Sequence, residues 1–175
     1  PLEVLNFILG SGDFSSRLVN KVRTEAGYTY SITSIFDQPL LDGQFVVIFQ
    51  TKTDNVVPAI ELTVNTIREL VEEGNITPEE IALAKESKLN EFIFLFEKPS
   101  DVVYQYATLD FYGMPNDYLE TYRDKISAVT LEDLKSLAQK YLHPDQFTYL
   151  VVGHPDVKTA LEKTGSWKEI QLDEG

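Results

Sequence analysis

Chemistry in a polypeptide needs groups that hold metals, move protons or stabilise developing charge. This 175-residue sequence offers few of them at useful spacing. Its two histidines, His143 and His154, flank a strand-sized segment and match none of the patterns that set two imidazoles on one helical turn, so no zinc pair is expected from them. His143 precedes Pro144 and reads as a helix-terminal residue near the last carbonyls. With no cysteine there is no thiolate ligand, no thiol nucleophile and no disulfide framework. Serine, histidine and aspartate all occur, but no Gly-x-Ser-x-Gly elbow exposes a serine. Gly10-Ser11-Gly12 lacks a preceding strand and a following lysine in phosphate-loop register, and reads as a tight turn. The carboxylate pairs Glu72-Glu73 and Glu79-Glu80 fall where helix ends expose them to water. One pair remains. Arg23 stands at the end of a predicted helix, and Tyr30 follows seven residues later, beyond Gly27 and early in a predicted strand. That spacing lets a guanidinium and a phenol face one cleft, although each alone is more often solvated or packed.

The elements that would position this pair follow from periodicity. Leu2, Leu5, Ile8 and Leu9 recur at helical spacing until Gly10. A short helix capped by Ser15 or Ser16 carries Leu18, Val19 and Val22 on one side and ends before Gly27. Tyr28 to Phe36 and Gln44 to Thr53 are strand formers separated by the turn-rich Asp37 to Gly43, which predicts a β-hairpin. A helix is expected over Val56 to Glu73 with Gly74 as its left-handed cap, and a second from the capping box Thr77-Pro78-Glu79-Glu80 to about Phe96. Three more are expected: up to about Tyr112, from Asp117 to about Ile126, and from Thr130 through Leu142. A strand over Phe147 to Val152 and a last helix over Asp156 to Lys163 complete the pattern. The all-apolar tail Phe92 to Phe96 is expected to be buried, and the aromatic series Phe92, Phe94, Phe96, Tyr104, Tyr106, Phe111 and Tyr112 to be core. Helices outnumber strands without strict alternation, so the fold class is α+β, helices covering a mainly antiparallel sheet.

Composition narrows the partners. The chain is 43% hydrophobic and 25% charged, which excludes disorder, and it has no apolar run long enough to span a bilayer. Fifteen Lys and Arg against 28 Asp and Glu leave a net charge of −13, which repels nucleic acid and anionic lipid and favours basic peptides. The length fits one domain over residues 1–175.

The ordered segments Asn6-Phe7-Ile8-Leu9-Gly10-Ser11-Gly12, Ser16-Arg17-Leu18, Val22 to Ser31, Gly113 to Leu119, Ile126 to Thr130, Tyr141 to Asp145 and Val151-Val152-Gly153 resemble the C-terminal half of the pitrilysin/insulinase-type zinc metallopeptidases. The likeness is strongest to their compact bacterial members and the mitochondrial processing peptidase. It implies a clamshell of two similar halves closing on an extended peptide. One half carries zinc through H-x-x-E-H, which is absent here; the other reaches the substrate through an arginine and a tyrosine, which Arg23 and Tyr30 match. Hence no cofactor is expected in this chain, zinc is expected in a complementary half on the same chain or a partner subunit, and this piece is expected to be inactive alone. A noncatalytic assembly subunit of the same fold is the alternative. Gly12-Asp13-Phe14 departs from the family's compact glycine turn. The family's first strands would lie before Pro1, which implies a domain truncated at its N-terminus. An open sheet edge and an exposed apolar face of Leu2, Leu5 and Leu9 would then let the fragment self-associate into a homo-oligomer.

Overall fold

The computed structural model describes residues 1–37 and 43–170; the centre of the expected hairpin loop lies outside them. Helix α1 (Leu2–Asn6) runs without a break into a π-helical turn, π1 (Phe7–Ser11), closed by the Gly12 amide donating to the Phe7 carbonyl five residues back at 3.1 Å. A second π-helical segment, π2 (Val19–Glu25), leads to the antiparallel pair β1 (Thr29–Asp37) and β2 (Gln44–Thr51). Helices α2 (Val56–Glu73), α3 (Pro78–Phe94), α4 (Pro99–Phe111), α5 (Tyr118–Ala128), α6 (Leu131–Tyr141) and α7 (Val157–Leu161) follow. The α+β architecture is as expected: among the described residues, helices pack on a two-stranded antiparallel sheet.

The core is organised around α1. Val4, Leu5, Ile8 and Leu9 are fully enclosed, and α1 lies against β1, α3 and α6. The expected exposure of Leu5 and Leu9 is therefore wrong, because Leu134 and Ala138 of α6 belong to the cluster that covers them. The side chain of Asn6 ties α1 to the sheet: its Nδ2 donates to the Ser34 carbonyl at 3.1 Å, and the buried Ser34 hydroxyl donates to Asn6 Oδ1 at 2.6 Å. Two hydrogen bonds satisfy groups that would otherwise be costly to bury.

Caps fall where the sequence places them. Gly74 ends α2 with φ of 54°, a left-handed conformation that glycine adopts without strain. Thr77 and Glu80 form a reciprocal capping box at the start of α3. Glu80 does more than cap, since its two carboxylate oxygens accept from Arg17 Nε and Nη2 at 2.7 Å each, and Arg17 also donates to the Asn75 side chain and carbonyl. Burial pushes the Glu80 carboxyl up, but the hydrogen bonds from Arg17 and Thr77 and the Arg17 charge outweigh it and leave the group below its ordinary range. A carboxylate lowered on folding stabilises the fold above its unfolded value, and that contribution disappears as pH falls through the folded value. Arg17→Ala is accordingly expected to cost about 2 kcal/mol at neutral pH through the lost charged hydrogen bonds, and to flatten the fall in Tm between about pH 6 and pH 3. Thermal melts of both proteins across that range check it; parallel curves would overturn the assignment.

Two further expectations fail. Residues 147–152 form no ladder with β2: the Phe147 ring sits 6.0 Å from Phe45 and Val151 packs near Val56, Val157 and Leu161, so side-chain packing rather than strand pairing holds the segment. Nor is the aromatic series core. Phe94 is 65% exposed, Tyr104 68% and Phe111 68%, and α4 has no buried residue. Aromatic density alone defines no face. On α4 the apolar residues are distributed around the helix, so no single stripe can be covered by one neighbour.

Candidate functional site

Arg23 and Tyr30 are brought together, and two backbone irregularities do it. Arg23 lies in the last turn of π2, where the Ala26 amide donates to the Lys21 carbonyl five residues back and the Gly27 amide to the Arg23 carbonyl, at 3.1 Å each. Gly27, at φ of 64°, then reverses the chain into β1. In the sheet register Thr29 pairs with Thr51 and Ser31 with Gln50, so Tyr30 is the extra residue of a β-bulge. A bulge re-aims the side chain it carries. Simple alternation would put Tyr30 on the face of the buried Ile32; the bulge instead turns it outward, 82% exposed, while Thr29 goes inside.

The Arg23 guanidinium carbon stands 5.5 Å from the Tyr30 ring centroid and 4.6 Å from that of Phe14. Rings at these distances attract the cation without taking up its N–H groups as conventional hydrogen-bond acceptors would. Among the described residues neither the Arg23 guanidinium nor the Tyr30 hydroxyl has a hydrogen-bond or ion-pair partner within the protein, which leaves both free to donate to a ligand. Phe14 is the member that sequence reasoning missed. It belongs to the short 3₁₀ turn Asp13–Ser15, whose Asp13 adopts φ of 45°, and the unusual Gly12-Asp13-Phe14 run was the visible signal of it.

The other candidates do not converge. Among the described residues no group of three His, Cys, Asp or Glu is placed to hold a metal ion, so zinc has no fit here. His154 Nδ1 lies 3.1 Å from Asp156 on an exposed turn, and His143 precedes the 3₁₀ turn Pro144–Gln146. Gly10 and Gly12 serve close packing: a Cβ on Gly10 would stand 2.5 Å from Ser34 Oγ, and one on Gly12 2.6 Å from the Phe7 carbonyl.

Residues 1–88 match the family model described as the peptidase M16 inactive domain. The chain is 24% identical over 155 residues, 87% of its length, to a Helicobacter pylori protein named non-peptidase homolog YmxG. It resembles the crystal structure of a peptidase M16 inactive domain from Pseudomonas fluorescens, with a TM-score of 0.75 and 28% identity over 82% of this chain. An inactive peptidase domain from Bordetella parapertussis superposes with a TM-score of 0.73 at 18% identity, covering 88% of this chain and 84% of that one; this last likeness concerns the fold alone. The chain spans about a third of the length of the Helicobacter and Pseudomonas proteins, 35% and 34% respectively.

Proposed function

We propose, from the premise that this chain belongs to the peptidase M16 inactive-domain family, that residues 1–175 form one zinc-free domain that holds an extended peptide for a complementary zinc-bearing half. That half is on the same chain or on a partner subunit. The observation that carries the reading is the Arg23–Tyr30 pair, with its donors unengaged and its position fixed by a helix end and a bulge. Zinc in the opposite half would supply Lewis acidity toward the peptide carbonyl and toward water. This chain's part is separate. A fixed guanidinium and a phenol bind a peptide carbonyl oxygen, orient it, and donate more strongly as negative charge grows there. The Phe14 ring, 4.6 Å from the guanidinium carbon, would steady the guanidinium while leaving its N–H groups available to a peptide.

The dialysed chain alone is expected to retain far less than one zinc per molecule and to hydrolyse no peptide. Metal analysis and a peptide-cleavage assay check both, and tightly held stoichiometric zinc with chelator-sensitive proteolysis would overturn this division of labour. A noncatalytic assembly role is the second reading, and the name of the Helicobacter relative favours it. The complete protein separates the two: zinc-dependent cleavage supports the first, and a complete protein with neither zinc nor cleavage supports the second.

A further inference from the structure

Helices α3, α4 and α5 and the start of α1 line a cavity of about 520 Å³, broadly open to solvent, that shares no residue with the Arg23–Tyr30–Phe14 cluster. Its wall carries the rings of Phe92, Tyr112, Tyr118 and Tyr122, and Glu3 is the one charged group among its described lining residues. Phe92 and Tyr122 are stacked with centroids 4.5 Å apart and an interplanar angle of 11°, and Tyr118, one turn earlier on α5, lies 6.1 Å from Tyr122. The Tyr122 hydroxyl donates to Glu3 Oε2 at 2.6 Å and so fixes the carboxylate at the wall. Burial, reinforced by the Glu3 charge, keeps both tyrosines protonated and raises their pKa. Among the described residues no Lys, Arg or His forms an ion pair with Glu3. A carboxylate with no cationic partner beside aromatic rings suits an organic cation, because a ring's open face is negative and the carboxylate adds a full charge. The protein already shows the attraction: Lys125 Nζ stands 5.8 Å over the Tyr118 ring.

We propose that this cavity receives the side chain of an arginine or lysine presented by another polypeptide. Charge selects the cation, since the chain as a whole carries −13 and would repel an acidic segment. The rest of the wall selects a polypeptide over a free small cation. Leu95, Leu109, Met114 and Leu119 also line the cavity, and Leu95 and Met114 are partly open to solvent at its mouth. Apolar residues flanking the basic one would cover that rim, which a free polyamine cannot do. The site does not depend on the Arg23–Tyr30 reading.

The test titrates the full chain with acetyl-Leu-Arg-Leu-amide, its norleucine counterpart acetyl-Leu-Nle-Leu-amide, and spermidine, following tyrosine ring signals by NMR. The arginine peptide is expected to shift the Tyr118 and Tyr122 rings and to bind about tenfold more tightly than the norleucine peptide. Glu3→Gln should weaken it by about tenfold, whereas Lys125→Gln, which removes the cation over the Tyr118 ring, should strengthen it. The Tyr118 and Tyr122 ring signals report this site and not the Arg23–Tyr30 cluster, with which it shares no lining residue, which keeps failure of this site distinct from failure of the peptide-holding role. Equal binding of the norleucine peptide would reduce the cavity to an apolar groove and overturn the proposal. So would spermidine binding as tightly as the arginine peptide, unchanged affinity in both Glu3→Gln and Lys125→Gln, or the absence of ring shifts at millimolar peptide.

Discussion

If the complete protein is the zinc-dependent peptidase proposed above, Arg23→Ala in it is expected to lower kcat roughly 10²–10³-fold, with Tyr30→Phe falling in the same range and both variants remaining folded and metal-loaded. Donors aimed at developing charge matter more in the transition state than in the bound substrate, so the loss should fall on kcat rather than KM. Folding is spared for visible reasons: Tyr30 is 82% exposed and Arg23 makes no ion pair among the described residues. Tyr30→Phe is the sharper variant, because it keeps the ring beside the guanidinium and removes only the hydroxyl. Arg23→Lys separates charge from the planar fork and should recover little of the rate. Phe14→Leu acts through Arg23 as a positioning change, with a smaller loss. Steady-state kinetics on a peptide substrate reads all four. Wild-type kcat in both Arg23→Ala and Tyr30→Phe would return these residues to ordinary surface roles.

Gly10→Val is expected to cost about 3 kcal/mol of stability, a large share of the usual 5–15 kcal/mol for a domain. The backbone of π1 approaches β1 so closely that a Cβ at Gly10 would meet Ser34 Cβ and its backbone nitrogen at 2.9 Å, as well as Oγ at 2.5 Å. A hydroxyl can rotate away; a backbone nitrogen inside a paired strand cannot. Separating the two elements would also break the Asn6–Ser34 hydrogen bonds and strand buried polar groups. Gly153→Ala is the control, since its Cβ would meet only Val157 Cγ1 at an ordinary 3.8 Å. Urea melts should show a large drop in midpoint for the first and almost none for the second; equal midpoints would remove the close-packing argument.

Local signals in the sequence carried the helices well. The Thr77 and Thr130 capping boxes, the Gly74 cap and the stripe Ile67, Leu70 lie where the residues indicate, because caps and helical periodicity depend on neighbours three or four positions away. The Arg23–Tyr30 pairing was legible in residue type and spacing, whereas the bulge that aims Tyr30 was not. Tyr28, Tyr30 and Ile32 alternate as a regular strand should, and only the register against Thr51 and Gln50 displaces one of them. Segment 147–152 has the composition of a strand and no ladder, since pairing belongs to two segments and composition to one. The exposed aromatics of α4 misled for a related reason: apolar content measures what could be buried, and the neighbouring elements decide what is.

The packing of α1 against α6 sets a timetable for synthesis. About 125 residues separate the two helices, and at roughly 5–20 residues per second α1 leaves the ribosome on the order of 6–25 s before its partner. Through that interval Val4 and Leu5 of α1, fully enclosed in the finished fold, lack the α6 side of their enclosure. The nascent chain therefore carries, for seconds, an apolar surface that the folded domain buries, which exposes it to off-pathway association during synthesis.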